Sequence, residues 1–367
     1  MTKISVVLPT YNEAENIKLL LPALKKVLED ITSKSYEIII VDDNSPDNTA
    51  TVAKETARSI GIDNNLKVIV REGKRGLATA VIDGFKASSG DYLVVMDADL
   101  QHPPEKIKEI YLELEKGAEI VVASRFIKGG RDEGLSLARK IFSKGAALIG
   151  KLLVPQIRVL SDPMSGFFAL RRTVIEGRLD LMNPKGFKIL LEIMVKGKYS
   201  KDKVREVPIV FGKRAYGESK LGLKEILDYL LHILSLNEYR ILKFMAVGVS
   251  GIFVNEGVLW LAHYKVALPV YLSGLLAIET SILSNFALNS LVTFRKERAK
   301  GTVLTRLAKY HVATAIGAFI NYATLLLLTH LLRLNPLVAN LIGILLGFLA
   351  NYTLSEHYVW ERVGRYE

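Results

Sequence analysis

Short apolar runs alternate with helix-spaced amphipathic segments along most of this chain, and then the pattern breaks. Residues 4–8, 36–41, 66–70, 92–96 and 119–123 each read as a short buried strand. Between them, residues 15–28 place Ile17, Leu20, Leu21, Leu24, Val27 and Leu28 on one helical face, and 48–60, a stretch ending at 87, and 104–116 follow the same period. Strands alternating with helices predict a right-handed α/β domain with a mainly parallel sheet. Ligands of such domains bind beyond the carboxyl ends of the strands. The polar clusters PTYNE, DDNS, REGKRG, DADLQ and SRF all fall there. No GxGxxG follows the first strand and no GxxxxGK[ST] occurs, which argues against dinucleotide and P-loop readings.

Near Lys243 the pattern becomes long apolar blocks. Spans are expected at about 244–264, 268–292, 311–333 and 335–357, each near the ~20 residues that cross a bilayer. Just before them, Leu221, Leu223, Ile226, Leu227, Leu230, Leu231, Ile233 and Leu234 oppose Lys220, Lys224, Glu225 and Asp228, a pattern that fits a core helix but, beside membrane spans, fits an interfacial helix better. The tail repeats itself. Arg240/Arg306, Lys243/Lys309, Phe244/Tyr310, Gly251/Gly317, Phe253/Phe319, Asn255/Asn321 and Asn285/Asn351 are each 66 residues apart, so two tandem helical hairpins are expected. The intramembrane asparagines fit interhelical hydrogen bonding. The central loop carries six basic residues: Arg295, Lys296, Arg298, Lys300, Arg306 and Lys309. By the positive-inside rule that loop, the N-terminal domain and the C-terminus share the cytoplasmic side.

Composition narrows the chemistry. The 367 residues carry a formal charge of +11 and no cysteine, which excludes disulfides, thiolate catalysis and zinc–thiolate sites. The basic balance fits an anionic membrane surface or a phosphorylated substrate. Nucleic acid fits poorly, because the cations flank spans and a small-ligand rim. No HExxH occurs, and no histidine stands out as a catalytic base beside the aspartates of DADLQ.

Those aspartates carry the sharpest signal. Residues i and i+2 of a strand point to the same face, so Asp97 and Asp99 are expected to converge at its end. Two carboxylates that close call for a cation. One or two carboxylates plus substrate phosphates is a usual Mg²⁺ or Mn²⁺ arrangement, and Gln101 continues the alternation as a third oxygen donor. The competing reading is a solvated turn in which Asp99 caps the following helix.

PTYNE (9–13), VDDNSPDNT (41–49), MDADLQHPPE (96–105) and YGESKLG (216–222) together resemble the family 2 inverting glycosyltransferases of the GT-A fold. Within that family the chain is most similar to the polyprenyl-phosphate hexose synthases of the dolichol-phosphate mannose type, over residues 1–237. Residues 240–361 separately resemble the GtrA-like four-span domain. The resemblance implies a catalytic domain at 1–219, an amphipathic linker at 220–242 and a membrane domain at 243–361. It implies GDP-mannose as donor and dolichyl or another polyprenyl phosphate as acceptor, at a bilayer. Nothing in the chain points to a protein partner.

The resemblance also assigns roles. Pro9, Tyr11, Glu13, Val41 and Asp43 would line the nucleotide pocket, Asp43 reading guanine N–H groups. Asp97, Ala98, Asp99 and Gln101 would form the metal–diphosphate centre. Gly76 would begin a helix close to the donor, while Lys74 and Arg75 fit a solvated edge equally well. Arg125 would lie near the transferred phosphates, although a strand-end arginine can also pair with a carboxylate alone. Arg214 and Lys220 would close over the leaving diphosphate. Arg139 and Ser143, in the amphipathic stretch ARKIFSKGAALIGKLL with Lys140, would meet the lipid phosphate. Catalysis would fall to Asp99, Arg125 and Arg139. Asp162, Ser165 and Gly166 border the acceptor side with no role assigned. A lipid monophosphate is already anionic at neutral pH and needs no general base. Two rivals stand beside this expectation. One is hexosyl transfer from a UDP-sugar to the same lipid. The other is a lipid carrier or scaffold with an inactive transferase domain. A processive polysaccharide synthase is disfavoured, because the QxxRW segment is missing.

Overall fold

The structure, a computed structural model, describes residues 4–32, 35–73, 76–133, 137–183, 188–212, 223–295, 297 and 300–361. It divides into two compact units, one ending at Leu236 and the other beginning at Asn237.

The first unit is built on β1 (Ile4–Thr10), α1 (Ala14–Thr32), β2 (Tyr36–Asp42), α2 (Thr49–Ser59), β3 (Leu66–Val70), α3 (Leu77–Ala87), β4 (Tyr92–Val95), α4 (Lys106–Glu115) and β5 (Ile120–Ser124). These are the elements the periodicity predicts, with ends that differ by no more than four residues. Then come β6 (Arg131–Asp132), α5 (Leu137–Leu153), β7 (Phe168–Arg171), α6 (Ile189–Lys196), β8 (Val204–Pro208), β9 (Val210–Phe211) and α7 (Leu223–Leu236). The main sheet has the order β3-β2-β1-β4-β7-β5-β8, and β6 pairs with β9 in a small second sheet. All pairs are parallel except those of β7, which runs antiparallel between β4 and β5. Because β7 reverses direction alone, the carboxyl ends of β1, β2, β4 and β5 still open on one edge.

Strand β1 is buried on both faces, as a central parallel strand must be. Ile4, Val6 and Leu8 join Ile17, Leu20, Leu21, Leu24 and Leu28 of α1 in one core. On the other face α3 comes so close that a Cβ on Gly84 would lie 2.3 Å from Val7 Cγ1. The start of α1 is capped from a distance: Ala14 N donates to Asp47 Oδ2 at 3.0 Å and Glu13 N to Thr49 Oγ1 at 3.0 Å. This ties the first βα turn to the second on the ligand edge. Helix α7 docks within this unit. Tyr229 Oη donates to the Ala146 carbonyl of α5 at 2.6 Å, and His232 Nε2 lies 2.9 Å from Glu192 Oε1 of α6.

The second unit contains α8 (Arg240–Trp260), α9 (Val270–Leu288), α10 (Val303–His330) and α11 (Pro336–Leu354). Four helices, counted with their terminal turns, are long and apolar enough to cross a membrane, at Arg240–Lys265, Val270–Thr293, Val303–His330 and Pro336–Val359. Each hairpin is locked at an equivalent place. Gly251 lies against the Asn285 carboxamide, and Gly317 against Gly347 and Asn351. Arg240, almost fully buried, reaches Glu297 Oε1 at 2.5 Å and Glu356 Oε1 at 3.4 Å. A buried cation needs such partners.

Candidate functional site

The carboxyl ends of β1 and β2 are stitched together first. Thr10 Oγ1 donates to Asp42 Oδ1 at 2.9 Å, and Asp43 N donates to the Thr10 carbonyl at 3.0 Å. Asp42 then folds its own turn, accepting from Ser45 N and Ser45 Oγ. Asp43 turns the other way. Its Oδ1 accepts from both Nε and Nη2 of Arg71, and its Oδ2 accepts from Gly76 N at 2.8 Å. Neither aspartate caps α2, whose N-cap is Asn48; Asp47, one residue earlier, accepts from Thr49 N at 3.0 Å. Gly76 is the N-cap of α3 with φ 138°, a backbone conformation few other residues tolerate. Pro9 and Val41 are buried, and Tyr11 and Glu13 half-buried, on the same edge. Lys74 and Arg75 lie outside the described residues.

The DAD segment departs from the strand argument. Strand β4 ends at Val95, so Asp97 and Asp99 lie in the loop beyond it, and strand alternation does not orient them. A turn does. Asp99 Oδ1 accepts from Gln101 N at 3.1 Å, and Leu100 between them has φ 61°. A left-handed leucine costs on the order of 1–2 kcal/mol, held here by packing against the core. Ala98, Asp99 and Gln101 are buried, while the Asp97 side chain is 31% exposed. Gln101 is bracketed by Gly212: its Nε2 donates to the Gly212 carbonyl at 2.9 Å, and Gly212 N donates to its carbonyl at 3.0 Å.

A histidine that the sequence reading did not weigh stands beside the aspartates. His102 is buried between Phe167 and Phe211, and its Nδ1 accepts from Asp97 N at 3.3 Å. Burial pulls its pKa down to about 4, so the ring is neutral near pH 7, an aromatic wedge under the loop and a poor general base.

Arg125, just past β5, is held by carboxylates. Its Nε and Nη2 donate to Asp162 Oδ2 and Oδ1 at 2.7 and 2.9 Å, and Nη1 lies 3.6 Å from Asp132 Oδ2. Asp162 is in turn placed by Glu206 of β8, whose Oε1 accepts from Ser161 N, Ser161 Oγ and Asp162 N. The turn after Asp162 approaches the DAD loop. Ser165 Oγ donates to the Ala123 carbonyl at 2.7 Å, and a Cβ on Gly166 would lie 2.8 Å from Asp97 Oδ2. Ser143 is buried on α5. The side chains of Arg139 and Lys140 on the same helix are outside what is described, as are Arg214 and Lys220 altogether. Thus Asp97, Asp99, Gln101, Arg125 and Asp162 form one rim.

Known proteins supply the family. Residues 5–178 match the glycosyl transferase family 2, and residues 243–360 match the GtrA/DPMS transmembrane domain. A dolichol-phosphate mannosyltransferase of Pyrococcus furiosus is 46% identical over 98% of this chain and 99% of its own. The chain belongs to the dolichol-phosphate mannosyltransferase family. A namesake from Saccharomyces cerevisiae is 38% identical over 66% of this chain and 88% of its own, and one from Mycosarcoma maydis is 36% identical over 64% and 79%. The protein is therefore a glycosyltransferase with a GT-A catalytic domain and a multi-pass membrane domain.

Within this family frame, three charged or titratable residues on the ligand edge escaped the sequence reading. Arg71 opens the cluster REGKRG, and its position at the end of β3 was the signal for it. His102 was quoted with the DAD segment but not weighed. Lys188 sits just before α6, and its Nζ donates to the Met164 carbonyl at 2.6 Å. No motif marked it.

Proposed function

We propose that this chain transfers mannose from GDP-mannose to dolichyl phosphate or a related polyprenyl phosphate. The match to the Pyrococcus relative carries this reading, because it runs through catalytic and membrane domains alike. A phosphate oxygen of the lipid forms the new bond to the anomeric carbon. The bond to the diphosphate breaks with its electron pair, and GDP leaves with the sugar inverted. The anionic acceptor needs no proton removed, which agrees with the neutral, buried His102.

The residues fit a hard divalent ion. Asp97, Asp99 and the Gln101 amide oxygen offer oxygen donors only, the Gln101 nitrogen being turned to Gly212. Gly166 keeps space open against Asp97 Oδ2 that any Cβ would fill. Bound there, Mg²⁺ or Mn²⁺ would neutralise the donor diphosphate. Pro9, Tyr11, Glu13 and Val41 line the nucleoside side. Asp43, clamped by Arg71, presents a fixed carboxylate edge to the base. Ala98 brings backbone close to the donor. Arg125, with Arg139 and Ser143 of α5, holds the acceptor phosphate, and Arg214 and Lys220 cover the leaving group. Residues 1–219 form the catalytic part, 220–242 the link to the bilayer and 243–361 the membrane part. The basic central loop supports a cytoplasmic side for the catalytic domain and C-terminus.

A donor panel tests this. Full-length protein in detergent–lipid micelles, given labelled GDP-mannose, UDP-glucose or UDP-galactose and a short-chain polyprenyl phosphate, is expected to make a mannolipid from GDP-mannose. Glycolipid from a UDP-sugar alone would replace the donor assignment. GDP-mannose binding with no glycolipid from any donor would defeat the enzyme reading.

A further inference from the structure

Lys188 has no part in the mechanism above, yet it stands at its centre. Met164, whose carbonyl it holds, belongs to the turn that clamps Arg125 through Asp162 and meets Asp97 through Gly166. One turn therefore fixes Lys188 relative to both the DAD loop and the arginine. Its charge interacts with Asp97, Asp162 and Arg125 together. Burial draws its pKa down, and the Asp97 and Asp162 carboxylates oppose that shift.

Charge balance says what such a cation is for. The Arg125 guanidinium is met by two carboxylates, Asp162 and Asp132. Asp97 and Asp99 add two more, and a divalent ion would offset those. The substrates then bring a diphosphate and a phosphate into the same space. An arginine already shared between two carboxylates attracts a phosphate less than a bare one does. Lys188, hydrogen-bonded to the same turn, supplies a compact point charge beside it.

We infer that Lys188 is a phosphate-binding residue, its ammonium contacting a phosphate oxygen where donor diphosphate and acceptor phosphate meet. This rests on reading the rim as the site of sugar transfer to a lipid phosphate.

The test uses the full chain in lipid nanodiscs with K188Q and K188R. Glutamine can still donate to the Met164 carbonyl but carries no charge, whereas arginine keeps the charge. K188Q is expected to lose about 100-fold in kcat/KM, the order seen when one charge-stabilising contact is removed. K188R is expected to recover at least about tenfold over K188Q, a pattern that anchoring of the turn alone would not produce. The source of the phosphate shows in the constants. A raised KM for polyprenyl phosphate with GDP affinity kept within about twofold places Lys188 on the acceptor, and a matching fall in GDP affinity by calorimetry places it on the donor. K188Q within about twofold of the parent, or K188R no better than K188Q, overturns the inference. If K188Q does not melt cooperatively, K188M takes its place as the uncharged variant. An inactive parent would instead count against sugar transfer itself.

Discussion

The rings of Phe294 and Trp360 stack at 4.4 Å with their planes 13° apart. The two residues are 66 positions apart, the period of the tail repeat, so each is the other's counterpart. Each closes a wide helical turn: Phe294 N donates to the Asn289 carbonyl at 2.8 Å, and Trp360 N to the Ser355 carbonyl at 2.9 Å. The same helix ending, made twice, meets itself ring to ring. Trp360 also packs on Phe286 and Tyr310. W360A is expected to cost about 3–5 kcal/mol of membrane-domain stability, and W360F much less. Unfolding of the purified protein in detergent measures both, and a W360A midpoint equal to the parent's would remove the stack from the account.

A Cβ on Gly251 would sit 2.5 Å from the Asn285 carboxamide, whereas one on Gly248 would meet nothing. G251A should therefore force α8 and α9 apart and destabilise by about 1–3 kcal/mol. G248A, one turn earlier, should be neutral or slightly stabilising, since alanine is the better helix former. The pair separates helix contact from helix propensity.

G166A would place a methyl group against Asp97 Oδ2. The expected result is a carboxylate pushed out of place and a rise of about tenfold or more in the Mg²⁺ or Mn²⁺ concentration needed for half-maximal transfer. D97N should lower activity further and leave the melting point near the parent's. Chelation of the parent should abolish transfer, and either ion should restore it. Unchanged metal dependence in G166A would mean that Asp97 is not a ligand.

Removing Asp162 leaves Arg125 buried with Asp132, at 3.6 Å, as its remaining carboxylate among the described residues. D162N is expected to destabilise the catalytic unit by about 3 kcal/mol, the cost of breaking a buried pair. R125M should cost transfer far more than it costs stability, because the guanidinium also serves the phosphates in the proposed mechanism. Equal losses in both would make the pair structural only.

Glu192 sets an acid limit on the docking of α7. Burial alone would raise its pKa, but hydrogen bonds from His232 and Lys196 outweigh that and hold it below the usual carboxylate value of 4.5. The unfolded chain then takes up this proton first. The stabilisation is complete above the unfolded pKa and disappears as pH falls through the folded one. Between about pH 5 and 3 the parent midpoint should fall more steeply than that of E192Q. Parallel curves would show that the pair carries no linkage.

Much of the fold was legible because short-range periodicity set it. Strand β3 begins and ends where its apolar run does, and the four spans announce themselves by length. Strand β7 was not legible. FALR is four residues long, and nothing in it says that it will slip antiparallel between β4 and β5. The DAD segment was found for a partly mistaken reason. Its residue types were read correctly, but its aspartates are oriented by an Asx turn and a left-handed leucine, not by strand alternation.

By itself, the sequence determined which segments are strands, helices and spans, that the tail is a repeat, and which polar clusters gather on one edge. These follow from side-chain period and from the rule that parallel strands share a direction. Only the tertiary structure decided the partners. Arg125 meets Asp162, Asp43 meets Arg71, Lys188 meets Met164, and Gly166 yields room to Asp97. Each joins residues more than twenty positions apart on different elements. Backbone period is local, and the same side chain reads alike whether it ends against water or a buried carboxylate. Packing chooses between those ends, because an ion or a polar atom that loses water must find its partner in space.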